Sequence, residues 1–138
     1  MKETVTVIIP AYNEEQYLER TIRSLHTQTY PANEIIVIDD YSTDATGKIA
    51  LKMGVKVLKP PQNTGSKAKA QNYALPYVNT DLIVALDADT ALQENALEEL
   101  VKAIENPELF KSIETLRNNL LKAIDEIVVE LNDFYNTN

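Results

Sequence analysis

Short apolar runs alternate with longer stretches in which apolar residues recur every three or four positions. Val5-Thr6-Val7-Ile8-Ile9-Pro10 is β-branched and almost wholly apolar, which predicts a buried parallel strand stopped by Pro10. Leu18, Ile22 and Leu25 follow at helical spacing. Asn13 is a plausible N-cap for that helix, with Glu14 and Glu15 at its positive end and Pro31 beyond its stop. Glu34 to Asp40 is a second buried strand that ends in two acids. Ser42-Thr43-Asp44 caps a helix running to about Met53, and Gly54 closes it. Val55 to Leu58 reads as a short strand, and Pro60 to Gly65 as a loop. Ser66 to Leu75 follows as a helix, Asp81 to Leu86 as a fourth buried strand, and Gln93 to Glu105 as a helix stopped by Pro107.

Strand and helix thus alternate over residues 4–107. This pattern predicts an α/β fold: an open, mostly parallel sheet with right-handed crossovers and helices on both faces. The expected organisation is an α/β domain over 1–107 and a separate element over 108–138. In that second part Ile113, Leu116, Leu120, Ile124, Ile127, Leu131 and Phe134 are spaced 3, 4, 4, 3, 4 and 3. The spacing is heptad-like and predicts one long amphipathic helix of about 25 residues. Such a helix is expected to pack on its own domain, to pair with the same helix in another copy to make a homo-oligomer, or both.

Composition narrows the function. The net charge is −8 and the pI about 4.6, so no basic stripe is available for nucleic acid. The chain has no cysteine, which removes disulfides and thiolate metal sites. The N-terminus enters strand-like sequence directly and does not read as a signal peptide, and no apolar run approaches the roughly 18 residues of a membrane span.

Open parallel sheets bind ligands beyond the carboxyl ends of their strands. Three polar clusters fall at such ends: Pro10 to Asn13, Asp39-Asp40, and Asp87-Ala88-Asp89. Two carboxylates one residue apart suit a hard divalent cation that bridges nucleotide phosphates, although an Asp-x-Asp is also ordinary strand-ending turn chemistry. Lys67, at a helix start, suits an anion. His26, the single histidine, lies away from these clusters and reads as structural or exposed.

Val7-Ile8-Ile9-Pro10-Ala11-Tyr12-Asn13-Glu14, Ile36 to Asp44, and Leu86-Asp87-Ala88-Asp89 together resemble the family-2 glycosyltransferases of the Rossmann-like GT-A fold, over about residues 4–107. The resemblance implies that Pro10, Ala11, Tyr12 and Glu14 cradle the base and ribose of a nucleotide-sugar. It also implies that Asp40 hydrogen-bonds the base while Asp39 orders the loop. Asp87-Ala88-Asp89 matches the DxD motif, with Asp89 binding Mg²⁺ or Mn²⁺ directly and Asp87 facing the ribose or a metal-bound water. Asn63 to Asn72 looks like the helix start of processive members, with Lys67 near the phosphates or sugar, though Ser66 and Gln71 depart from the usual glycine and leucine. The implied function is transfer, with inversion, from a UDP-sugar or GDP-sugar to a saccharide or lipid-linked acceptor. The implied location is cytoplasmic, at the inner membrane face.

Family members continue past the DxD motif into an acceptor-binding half, often with a general base in a Glu-Asp pair and sometimes a Gln-x-x-Arg-Trp motif. This chain has no Glu-Asp dipeptide and no tryptophan, and no residue stands out as the general base. Two other readings stay open: a truncated or non-catalytic nucleotide-sugar-binding module, and an oligomerising α/β scaffold without the acceptor half.

Overall fold

The computed structural model describes residues 2–137, and the chain divides into two compact units, residues 1–100 and 101–138. The first unit is built on four strands: β1 (Val5–Ala11), β2 (Glu34–Asp39), β3 (Lys56–Leu58) and β4 (Leu82–Ala85). They are all parallel, in the order β3-β2-β1-β4. Helices α1 (Leu18–His26), α2 (Thr46–Lys52) and α3 (Lys67–Ala74) connect them. Helix α4 (Ala96–Glu105) crosses the division between the units, and α5 (Pro107–Thr137) makes up most of the second.

Every residue of β1 is buried, as its uninterrupted apolar run requires of a strand covered on both faces. Ile8, Ile36, Ile38 and Leu58 form one core layer with Ala70 and Ala74 of α3. The small alanines let the helix approach the sheet closely. The alternate positions Val5, Val7, Ile9 and Val37 are fully buried on the opposite face. Helix α1 buries Leu18, Ile22 and Leu25 along one edge, at about 1.5–3 kcal/mol for each side chain removed from water. A hydrogen-bond clamp sets the start of the sheet, where Asp81 Oδ2 accepts from both Thr4 N (3.0 Å) and Thr4 Oγ1 (2.8 Å).

Three local expectations need correction. Pro10 does not stop β1; it lies inside the strand, opposite Ile38. Ile8 O accepts from Leu86 N on the β4 side, whereas Ala11 O accepts from Asp40 N on the β2 side. Pro10 therefore faces the β4 side, past the last β1–β4 pair at Ile8 and Ala85, where its missing N–H breaks no ladder bond. Asn13 is not an N-cap. Its backbone is left-handed (φ 52°), α1 begins only at Leu18, and Glu14 and Glu15 lie in the preceding turn. Finally, β4 is not buried on both sides. It is the sheet edge, and Ile83 is 44% exposed, because an apolar run cannot say whether a strand has one neighbour or two.

The second unit's long helix exceeds the expected length, at 31 residues. Pro107 starts it, in the first-turn position where a proline's missing N–H costs nothing. Among the described residues no helix is long and apolar enough to cross a membrane.

Candidate functional site

The loops beyond β1 and β2 are laced together by side chains. Asn13 N donates to Ser42 Oγ (3.0 Å), Glu14 N to Thr46 Oγ1 (2.9 Å), and Glu15 N to Asp44 Oδ2 (3.2 Å). In return Thr43 N donates to Asn13 Oδ1 (2.8 Å) and Ala45 N to Glu15 Oε2 (3.0 Å). Asn13 thus spends its side chain on the neighbouring loop, and its left-handed turn presents Tyr12 to solvent at 53% exposure. Asp44 also accepts from the backbone N–H (2.9 Å) and hydroxyl of Thr46, so it is the member of the Ser42-Thr43-Asp44 run that serves the start of α2. Partial desolvation pushes the Asp44 carboxyl up. The hydrogen bonds from Thr46 and Glu15 outweigh it and hold the pKa below the usual value.

The paired acids after β2 serve different partners. Asp39 is 4% exposed; its Oδ1 accepts from Ser42 N (3.1 Å), and its Oδ2 lies 3.7 Å from Lys59 Nζ. Gly47 packs against it so closely that a Cβ there would stand 2.5 Å from Asp39 Oδ2. Asp40, 6% exposed, turns toward the loop between β3 and α3. Its Oδ1 accepts from Thr64 N (2.8 Å), its Oδ2 from Thr64 Oγ1 (2.6 Å), and its carbonyl from Asn63 Nδ2 (2.8 Å). Each carboxylate oxygen keeps a further lone pair for a ligand.

That loop ends at Gly65, whose φ of 92° requires glycine, and Ser66 caps α3 by accepting from Lys69 N (3.2 Å). Lys67 is the first residue of α3 and reaches across to Asp87, Nζ to Oδ1 at 3.2 Å. Both side chains are more than half exposed, so this pair contributes only about 0–1 kcal/mol and yields readily to a ligand.

Asp87 and Asp89 sit on a turn just past β4, closed by Thr90 N donating to Asp87 O (3.1 Å). Ala88, between them, is buried, and its carbonyl accepts from Thr21 Oγ1 of α1 (2.7 Å). Anchoring the middle residue inward leaves both flanking carboxylates exposed. Among the described residues no three His, Cys, Asp or Glu side chains are grouped to hold a metal.

A cavity of about 490 Å³ opens at this edge. Pro10, Ala11, Tyr12, Glu14, Asp40 and Lys67 line it, joined by Asn63, Gly65, Ser66 and Ala70. The structure therefore brings together six of the residues singled out from sequence. Asp87 reaches the cavity's edge through its pairing with Lys67, while Asp89 is not among the lining residues. Thr64 and Asn63 also tie down Asp40, a link between residues more than twenty apart for which the Asn-Thr-Gly run ahead of a capped helix is the only local signal. His26 is exposed on the last turn of α1 and takes no part.

The chain matches the profile of "Glycosyl transferase family 2" over residues 6–128. It belongs to that family. The family-2 chain is 34% identical to glycosyltransferase GlyA of Streptococcus pneumoniae serotype 4 over 105 residues, 74% of this chain and 15% of GlyA. The crystal structure of Staphylococcus aureus TarS 1–349 in complex with UDP-GlcNAc superposes with a TM-score of 0.69 at 30% identity, covering 74% of this chain and 31% of that one. The mannosyltransferase PcManGT from Pyrobaculum calidifontis, in complex with GDP-Man and Mn²⁺, gives 0.72 at 28% identity, covering 78% and 34%. The family-2 chain thus spans about a third or less of these relatives.

Proposed function

We propose that this chain is the donor-binding part of an inverting glycosyltransferase and takes a nucleotide-diphospho-sugar, foremost a UDP-sugar, in the cavity beyond β1 and β2. The single observation that carries this reading is the 490 Å³ cavity that joins Tyr12 beyond β1, Asp40 beyond β2 and Lys67 at the start of α3. Tyr12 offers a ring face for the base, and stacking of this kind contributes about 1–3 kcal/mol. Asp40, with acceptor capacity left after Thr64, suits an imide N–H of uracil or the N–H edge of guanine. Lys67 and the capped N-terminus of α3 offer donors to a diphosphate.

The residues present fit a divalent cation shared with the ligand. Mg²⁺ and Mn²⁺ sites of this kind take one or two carboxylates and complete their shell with phosphate and water. Two outward carboxylates, Asp87 and Asp89, are such a donor set, and a dedicated protein cage would need more. When bound, the cation offsets the negative charge that gathers on the departing diphosphate. Asp87 and Asp89 would hold the cation or its water shell, and Lys67, now paired with Asp87, would be available to the phosphates. A saccharide or lipid-linked acceptor would have to be deprotonated by a base. Glu14 and Asp40 are the carboxylates lining the cavity, and Asp40 is committed to Thr64. The chain's small share of its relatives accordingly favours a second reading, a donor-binding module whose transfer step needs further protein.

A thermal-shift series with UDP-GlcNAc, GDP-mannose and a nucleoside monophosphate, each with and without Mn²⁺, tests the donor class. The diphospho-sugars are expected to raise the Tm and the monophosphate to do little; no response to any of them rules the reading out. Sugar release or transfer to a simple saccharide then separates the enzyme from the binding module.

A further inference from the structure

Helix α5 carries an apolar stripe with a period that a single chain does not explain. Leu109, Leu120 and Leu131 stand eleven residues apart, as do Ile113 and Ile124, and Leu116 and Ile127. Eleven residues span three turns at 3.67 residues per turn, so the stripe runs almost straight with a slight right-handed drift, rather than the left-handed winding of a strict heptad. All seven side chains are 39–68% exposed. The helix is 31 residues long, about 46 Å at 1.5 Å per residue, and an apolar patch of this extent exceeds what a monomer ordinarily leaves in water.

The charges along α5 say what covers it. Residues 107–122 carry Lys111, Arg117 and Lys122 against Glu108 and Glu114, whereas residues 123–137 carry Asp125, Glu126, Glu130 and Asp133 and no base. A parallel pair would set four acids beside four acids. An antiparallel pair sets the acidic half of each helix beside the basic half of the other, twice over by two-fold symmetry, and also opposes the two helix dipoles. The face is complementary to itself in reverse.

We propose that α5 joins two copies of this chain as an antiparallel helix pair, centred near Lys122, with Ile113 of one copy across from Leu131 of the other. The association rests on α5 alone and does not depend on nucleotide binding.

Sedimentation of the whole chain over a wide concentration range tests the pairing. The expected mass is twice 15.5 kDa, returning to 15.5 kDa in a Leu120→Glu, Ile124→Glu double variant whose circular dichroism keeps the α/β signature. A monomer at every concentration, or a dimer that survives the double variant, overturns the proposal. Orientation is read by oxidation, since the chain has no cysteine of its own. Mixed Ile113→Cys and Leu131→Cys chains are expected to form the 113–131 disulfide in preference to either self-pair. Preferential 113–113 and 131–131 products overturn the antiparallel arrangement.

Discussion

Asp40 and Thr64 grip each other twice: the Thr64 backbone N–H donates to one carboxylate oxygen at 2.8 Å and its hydroxyl to the other at 2.6 Å. The pair ties the end of β2 to the loop that launches α3, so Asp40 and Lys67 hold a common frame. Removing the hydroxyl leaves one oxygen of a buried carboxylate short of a donor, at a cost of about 1–3 kcal/mol. Thr64→Val is expected to weaken UDP binding about tenfold or more, and Thr64→Ser to restore most of it. Isothermal titration of the two variants distinguishes loop positioning from loss of bulk.

Gly47 and Asp39 are a second close pair. An alanine would normally strengthen a helix, by about 0.5–1 kcal/mol over glycine. Here its Cβ meets Asp39 Oδ2 at 2.5 Å, and Asp39 is buried and bonded to Ser42 N. Overpacking of this kind costs about 1–3 kcal/mol, so Gly47→Ala is expected to lower net stability by about 1 kcal/mol in urea denaturation.

Acid should loosen the sheet start and the laced loops. Asp81 is held below the ordinary carboxylate value of 3.8 by hydrogen bonds from the Thr4 backbone and hydroxyl. Asp44 is also held below it, by Thr46 and Glu15 against a raising effect of desolvation. A depressed folded-state pKa gives stability that is fully present above the unfolded value and lost as pH falls through the folded one. The stability advantage of the parent over Asp81→Asn should therefore be constant above about pH 5 and shrink below 3.8. Denaturant midpoints measured across that range check it.

The exposed Lys67–Asp87 pair should matter for ligand rather than fold. Lys67→Ala is expected to leave the denaturation midpoint within about 0.5 kcal/mol of the parent, since the pair is solvent-screened. It is expected to weaken UDP more than uridine, if this cavity-lining cation meets the diphosphate as proposed. Equal losses for the two ligands would rule out a role for Lys67 at the diphosphate.

Much of this was readable from the chain because the decisive patterns are local. The β1 and β2 runs, the acids that end them and the capped start of α3 each lie within a few consecutive residues. Asn13 misled because a residue suited to an N-cap is equally suited to a left-handed turn, and only its partner, Thr43, decides between them. Pro10 misled because tolerance of a proline depends on where the neighbouring strand stops. The grip of Thr64 on Asp40 joins residues 24 apart and has no periodic signature. The position of β4 at the sheet edge likewise depends on neighbours, which the run Leu82 to Leu86 cannot report.

Asp89 is the residue on which metal-assisted nucleotide binding depends, and calorimetric titration of UDP with and without Mn²⁺, into the parent chain and into Asp89→Ala, examines that dependence. Mn²⁺ is expected to strengthen UDP binding to the parent at least tenfold, and Asp89→Ala, still folded by circular dichroism, to lose the enhancement. Mn²⁺-independent affinity in the parent, or an enhancement unchanged in Asp89→Ala, would contradict it.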